Sequence, residues 1–299
     1  MTDQKHPSDL SHAHGAVSGL GYPALRPDLP VSHARFPEGA AYRIEIPSCE
    51  GPAVMRAVVA ESAELGVKVD RVSQGSGVMM LTDDEITEMV DLGEEEDIEV
   101  CLFLGPRGAW GTGGQAKVSA AVGGTARGGA EVTACVADAQ RAVRLGVRSL
   151  LVGDLGVLAL LGRMKRAGAL PEDLVLKTSV LMPLTNAPTA VVYEQMGANS
   201  LNVSTDLELA TLAEIRAAVT SPIDVYVEVP DDQGGSVRFY EVPDLVRHCA
   251  PVFVKLGVRN APNIYPTGRH HEATAIALGR ERVHRAALVL RLMEAEGLR

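Results

Sequence analysis

Several charged residues stand inside or beside short apolar runs, where an aliphatic side chain would be the plain choice. Lys177 lies in the run 174–178, Lys255 in 252–256, Arg43 and Glu45 in 42–46, and Glu228 in 223–229, while Arg259 follows Lys255 closely. Burying an isolated charge is costly, so such groups must pair with one another or face water and a ligand. Two roles are open to the lysines. A desolvated lysine beside a second cation forms a Schiff base with a carbonyl substrate. A charged one, with Arg43 or Arg259, holds a carboxylate or phosphate. Glu45 or Glu228 would then be the general acid or base, tuned by these neighbours.

Such groups act together only if the fold converges them, and the chain from residue 41 onward has a pattern that does so. Apolar runs at 42–46, 67–72, 98–104, 149–152, 174–178, 200–203, 223–229 and 252–256 alternate with stretches of helical spacing. Those stretches cover 52–65, 83–96, 132–145, 157–167, 187–196, 207–219 and 242–248, and a last helix runs from 272 to about 296. Gly66, Gly146 and Gly197 close helical stretches, where glycine supplies the left-handed cap. Eight strands alternating with eight helices predict a (β/α)8 TIM barrel. The competing open sheet would carry a glycine-rich phosphate turn after its first strand, and Pro47-Ser48-Cys49-Glu50-Gly51 is not one.

Alternation along each strand assigns the interior. Placing aliphatic residues toward the helices turns Arg43 and Glu45, Lys177 and Ser179, Ser200, Asn202 and Ser204, Asp224, Tyr226 and Glu228, and Phe253 and Lys255 inward. The second strand stays open between Arg71 with Ser73 and Asp70 with Gln74, and Asp154 ends the fourth strand near the mouth. Glu45, Lys177, Glu228 and Lys255 are the candidate catalytic groups. Arg43, Asp154, Asn202, Ser204, Tyr226 and Arg259 are the candidate substrate-binding groups. The plainer alternative is a self-satisfied network, for example Glu45 with Arg43 and Glu228 with Lys255.

Composition narrows the partners. With 38 acidic against 28 basic residues the formal net charge is −10, which repels phosphate backbones and anionic lipid, so neither nucleic acid nor membrane is expected. The amino-terminal stretch lacks the apolar run of a signal peptide. Cys49, Cys101, Cys135 and Cys249 are far apart with no CxxC pair, which predicts reduced, buried thiols and a cytoplasmic protein. Residues 1–38 show no periodicity and read as a disordered or extended arm, leaving 39–299 as the barrel domain. Its His6, His12 and His14 read as solvated. The arm could cross to a neighbour, so a homo-oligomer stays open. No cofactor is expected. A divalent metal stays open, drawn from Glu45, Asp154, Glu228 and either His270 or His271. The glycine-rich connection from Gly105 to about Ala130, with the single Trp110, reads as a mobile lid or a disordered loop on the mouth face.

Leu176-Lys177-Thr178-Ser179 through Asn186, Tyr193-Glu194-Gln195-Met196-Gly197-Ala198, Leu207-Glu208-Leu209 with Ile215, and Val254 to Tyr265 resemble the strands, turn and helix of the U32 peptidase family. The resemblance implies a barrel and a hydrolase. The family's cysteines after the seventh strand have no counterpart in Val227 to Gly235, so no iron–sulphur cluster is expected. The resulting expectation is an enzyme acting on a small anionic substrate containing a carbonyl or amide at the carboxyl-terminal mouth. A Schiff-base lyase, aldolase or isomerase and a non-catalytic binding or accessory protein are the alternatives.

Overall fold

The computed structural model describes residues 9–22, 28–111, 114–119 and 122–298. After α1 (Asp9–Gly19) the chain alternates β1 (Tyr42–Pro47), α2 (Pro52–Leu65), β2 (Arg71–Gln74), α3 (Asp83–Glu95), β3 (Glu99–Phe103) and α4 (Gly128–Arg144). It continues through β4 (Ser149–Val152), α5 (Leu155–Arg166), β5 (Val175–Thr178), α6 (Ala187–Met196), β6 (Leu201–Asn202), α7 (Leu209–Ala218) and β7 (Ile223–Val229). A two-residue strand β8 (Ser236–Val237), α8 (Val242–Cys249), β9 (Val252–Leu256) and α9 (Glu272–Ala295) complete it.

The hydrogen-bonded order is β5-β4-β3-β2-β1-β9-β7-β6, all parallel, with β8 paired antiparallel to β7. A parallel bridge between Lys177 and Ser200 joins the two ends of that path, and Thr178 N donates to Ser200 O at 3.0 Å. The chain is therefore a closed eight-stranded barrel of the TIM type. Ile44, Val72, Leu150, Leu176, Leu201, Val225 and Val254 point outward into the helix layer and form its continuous apolar core. At 25 cal/mol per Å² or so, burial of these branched side chains is the main driving force for closing the helices on the sheet.

Two local signals fix where elements begin. Thr82 and Glu85 form a reciprocal capping box at the start of α3. Gly66 and Gly197 end α2 and α6 at φ values of 64° and 117°, which a residue with a Cβ adopts only under strain. β2 is displaced from the predicted 67–72 to Arg71–Gln74, because pairing starts only where Asp70 N reaches Ile44 O.

Part of the arm departs from the expected disordered or extended form. Residues 9–19 are helical, with Leu10, Ala13 and Val17 one turn apart, and residues 28–38 are bound to the barrel. Ser32 N donates to Arg247 O at 2.8 Å, and Ser32 Oγ to Ala250 O. Phe36 is buried against Phe253 with ring centroids 5.1 Å apart, plugging the amino-terminal end of the barrel. His6 lies outside the described residues.

Candidate functional site

The interior charges form a belt dictated by strand register. Glu45 stands opposite Lys255 on one side and Arg71 on the other; Arg71 stands opposite Glu99, and Lys255 opposite Tyr226. Opposite charges on neighbouring strands at one level attract across the pair. Arg71, ambiguous in the sequence, points inward and is saturated. It donates to Glu99 at 2.8 and 3.0 Å, to Asp224 at 2.7 Å, to Ser200 at 3.1 Å and to Glu45 at 3.3 Å. Its guanidinium also stacks 3.6 Å from the Phe253 ring.

Above this layer, Lys177 is fully buried and its Nζ is bonded to Glu45 and, at 3.0 Å, to Asp224. Lys255 Nζ lies 3.2 Å from Glu45 and 4.4 Å from the Tyr226 ring centroid. With its amide oriented to satisfy its neighbours, Asn202 accepts from Lys255 Nζ at 3.1 Å and from Val180 N at 3.2 Å. Ser73 donates to Glu45 at 2.7 Å. Burial opposes the Glu45 charge, but attraction by Lys177, Lys255 and Arg71 outweighs it and holds this carboxyl well below the usual carboxylate range. Burial instead raises Asp224, against the pull of Lys177 and Arg71.

A cavity of about 200 Å³ opens at the carboxyl-terminal mouth, with Lys255, Asn202 and Tyr226 lining its polar side. Phe103, Leu151 and Leu181 line the other side. Ser48 and Tyr265, hydrogen-bonded to each other, form part of the rim, and Ser48 has a φ of 59°, rare for a residue with a Cβ. Asp232 is the one carboxylate in the lining; it is largely exposed, and the partial cover it has raises it from its ordinary value. Arg107 and Trp110 come from the glycine-rich connection, which folds back over the mouth through Gly108 N to Thr125 O and Ala109 N to Gly123 O. That connection ends sooner than predicted, since α4 begins at Gly128.

Several predicted groups lie elsewhere. Arg43 sits two residues below Glu45, toward the amino-terminal end, where Glu38 binds it through two contacts of 2.9 Å. It therefore holds no ligand at the mouth and does not pair with Glu45. Glu228 does not pair with Lys255 either. Past a register shift between Tyr226 and Glu228, its carboxylate accepts from Arg259 N, in the connection after β9, at 2.9 Å and lies 3.5 Å from Arg285 Nε of α9. Arg259 is bound at 2.8 Å to Asp231, half exposed, outside the cavity lining. Asp154 caps α5, accepting from Val157 N at 2.9 Å and from Ala126 N at 3.1 Å. Ser204 donates its N–H to Leu184 O and does not line the cavity.

The divalent-metal set is not assembled. Glu45, Asp154 and Glu228 are each engaged separately, the His270 and His271 rings lie against each other at a tilt of 46°, and no group of three metal-binding side chains occurs among the described residues. The four cysteines are buried and unpaired, and burial pushes Cys101 up to about 11 and Cys135 and Cys249 to about 12. Among the described residues, no helix is long and apolar enough to cross a membrane.

The stretch from 115 to 229 carries the strands and turns that hold Lys177, Asn202 and Tyr226, and it is this stretch that has a known counterpart. The chain resembles Peptidase family U32, whose model matches residues 115–229. No curated protein matches in sequence. Among solved structures, the U32 peptidase Mk0906 is similar at 14% identity over 66% of this chain and 73% of that one, with a TM-score of 0.39. A putative copper homeostasis protein CutC from Streptococcus agalactiae is similar at 14% identity over 71% and 98%, with a TM-score of 0.48. A putative lyase/mutase from Burkholderia cenocepacia follows at 15% identity over 95% and 90%, with a TM-score of 0.44. The U32 resemblance covers four of the barrel strands but leaves β9, and so Lys255, outside the match.

Among the polar residues missed by strand alternation are Arg107, Trp110, Ser48, Tyr265, Asp232, Gln233 and Asn263, all beyond strand ends. Only Trp110 carried a signal, as the single tryptophan within a long loop after a strand.

Proposed function

We propose that the barrel is an enzyme that takes a small anionic substrate, containing a carbonyl or amide, into the carboxyl-terminal mouth. The observation that carries this reading is the Lys255 ammonium at the cavity wall, held from below by Glu45 and from the side by Asn202. A fixed cation at the wall of a cavity lined on its other side by Phe103, Leu151 and Leu181 stabilises negative charge as it develops on a carbonyl oxygen, without reorganising during the reaction. Asp232, the one carboxylate lining the cavity and raised from its ordinary value, would be the group that moves a proton. Hydrolysis is the reaction supported by the U32 resemblance. Schiff-base chemistry at Lys177 finds no support, because its amine is fully buried and bonded to two carboxylates.

The second reading, a binding protein without turnover, has one observation in its favour: Glu45, Asp224, Lys177 and Arg71 are all paired internally. Lys255→Gln separates the two when turnover is followed on small amides and 2-oxo acids. Loss of about 10²–10³ in kcat/KM, in a variant that circular dichroism shows to be folded, is expected for charge stabilisation. Turnover equal to the parent protein removes Lys255 from the chemistry, and no turnover by the parent protein favours the binding reading. Borohydride treatment with the same oxo acids is expected to leave the mass unchanged, whereas a reduced adduct at Lys255 replaces charge stabilisation by an imine.

A further inference from the structure

Arg107 is only 7% exposed, yet it has no carboxylate within ion-pair distance among the described residues. Its guanidinium lies 4.1 Å from the Phe103 ring centroid and 3.7 Å from that of Trp110. It makes one hydrogen bond, from Nη2 to Gly75 O, against the five made by buried Arg71. The carbonyl that orients it is itself fixed, since Glu50 accepts from Gly75 N at 2.7 Å and from Ser76 N at 2.9 Å. Desolvation lowers Arg107 to about 10, with Tyr265 and Glu50 only partly opposing that effect. A stacked guanidinium keeps its edge free, and that edge matches the two oxygens of a carboxylate or phosphate.

Its position relative to Lys255 adds a second constraint. Arg107 follows β3 and Lys255 lies on β9, three steps apart around the closed order of eight strands, and both line the same cavity. At about 4.8 Å per step, they stand on different walls rather than side by side. The cavity, at about 200 Å³, is smaller than the sites that hold drug-sized ligands.

We propose that Arg107, clamped between Phe103 and Trp110, is a second anion-binding group of the mouth, so that the substrate is a short molecule with two anionic ends. This rests on the reading of Lys255 given above: the carbonyl end meets Lys255 and the remote carboxylate or phosphate meets Arg107. Trp110, the only tryptophan in the chain, reports directly on that contact.

The test compares 2-oxoglutarate with 2-oxopentanoate, which has the same carbon chain but lacks the second carboxylate, by Trp110 fluorescence and calorimetry. The parent protein is expected to bind the dianion at least about tenfold more tightly. Arg107→Gln brings the two affinities together while leaving the monoanion within about twofold, and Arg107→Lys restores part of the preference. Lys255→Gln weakens both probes alike. If Arg107→Gln leaves the ratio unchanged, the second anion site is wrong while the role of Lys255 stands. If Arg107→Gln collapses the ratio but Lys255→Gln changes nothing, the site survives and the Lys255 reading falls. Should neither oxo acid bind, inorganic phosphate decides. A Trp110 response present in the parent protein and lost in Arg107→Gln upholds the site, and no response in the parent protein overturns it. Circular dichroism of each variant establishes that it is folded before its affinity is read.

Discussion

Lys177 and Lys255 stand on inward positions of different strands, yet they face different surroundings. Lys177 is surrounded by Glu45 and Asp224 in the closed interior, while Lys255 shares Glu45 but reaches the cavity. The same side-chain chemistry therefore serves cohesion in one case and, on the function proposed above, ligand contact in the other. Asp232 is tested through pH dependence. If it moves the proton, kcat/KM has an inflection above the ordinary aspartate value of about 3.9, and Asp232→Asn removes that inflection with a loss of about 10²–10⁴. An inflection that persists in the variant assigns the proton to another group.

Element boundaries decide which polar residues are free for chemistry. Asp154 lies two residues past the end of β4, on the side where barrel enzymes keep functional groups, but the next residue begins α5 and its carboxylate is taken up by the helix end. Its second contact, to Ala126 N, ties the glycine-rich connection to that helix. Asp154→Ala is expected to lower stability by about 0.5–2 kcal/mol in denaturant melts, with ligand affinity within about twofold. A large loss of affinity at unchanged stability would return Asp154 to the binding set. The displacement of β2 and the irregularity in β7 act at this scale too. The first settles that Arg71 and Ser73 face inward, and past the second Glu228 lies near Arg285 of α9.

The barrel as a whole depends on the charge belt in its interior. Removing one member of a buried network leaves its partners uncompensated, so Glu45→Gln is expected to cost about 3–5 kcal/mol. The sign of the acid response follows from the lowered Glu45 carboxyl. Its stabilising contribution is present above the unfolded glutamate value of about 4.3 and is lost as pH falls below that toward its folded value. Acid melts followed by circular dichroism should show a steep loss of stability below about pH 4, and Glu45→Gln should flatten it. Equal slopes in both proteins would show that other carboxylates govern acid unfolding. Phe36 contributes at this scale by closing the amino-terminal end over Phe253, which makes residues 28–38 part of the barrel's packing.

The repeating strand and helix periods carried the barrel, and within it the inward positions of Glu45, Lys177, Asn202, Tyr226 and Lys255. Those follow from the two-residue period of a strand and the need to turn aliphatic residues toward the helices, both local properties of the sequence. The partners of each charge were not local. Glu45 meets Lys177, a residue 132 positions away, only because the strand order places β1 and β5 around one closed ring. The two-residue period turns Arg43 and Glu228 inward, and position along the run puts Glu228 near the mouth; both lie elsewhere because height in the barrel and a register shift are properties of paired strands. Arg107 and Asp232 were invisible for a related reason. They lie on connections with no periodicity, and their converging on one cavity with Lys255 is set by how those connections fold over the barrel end.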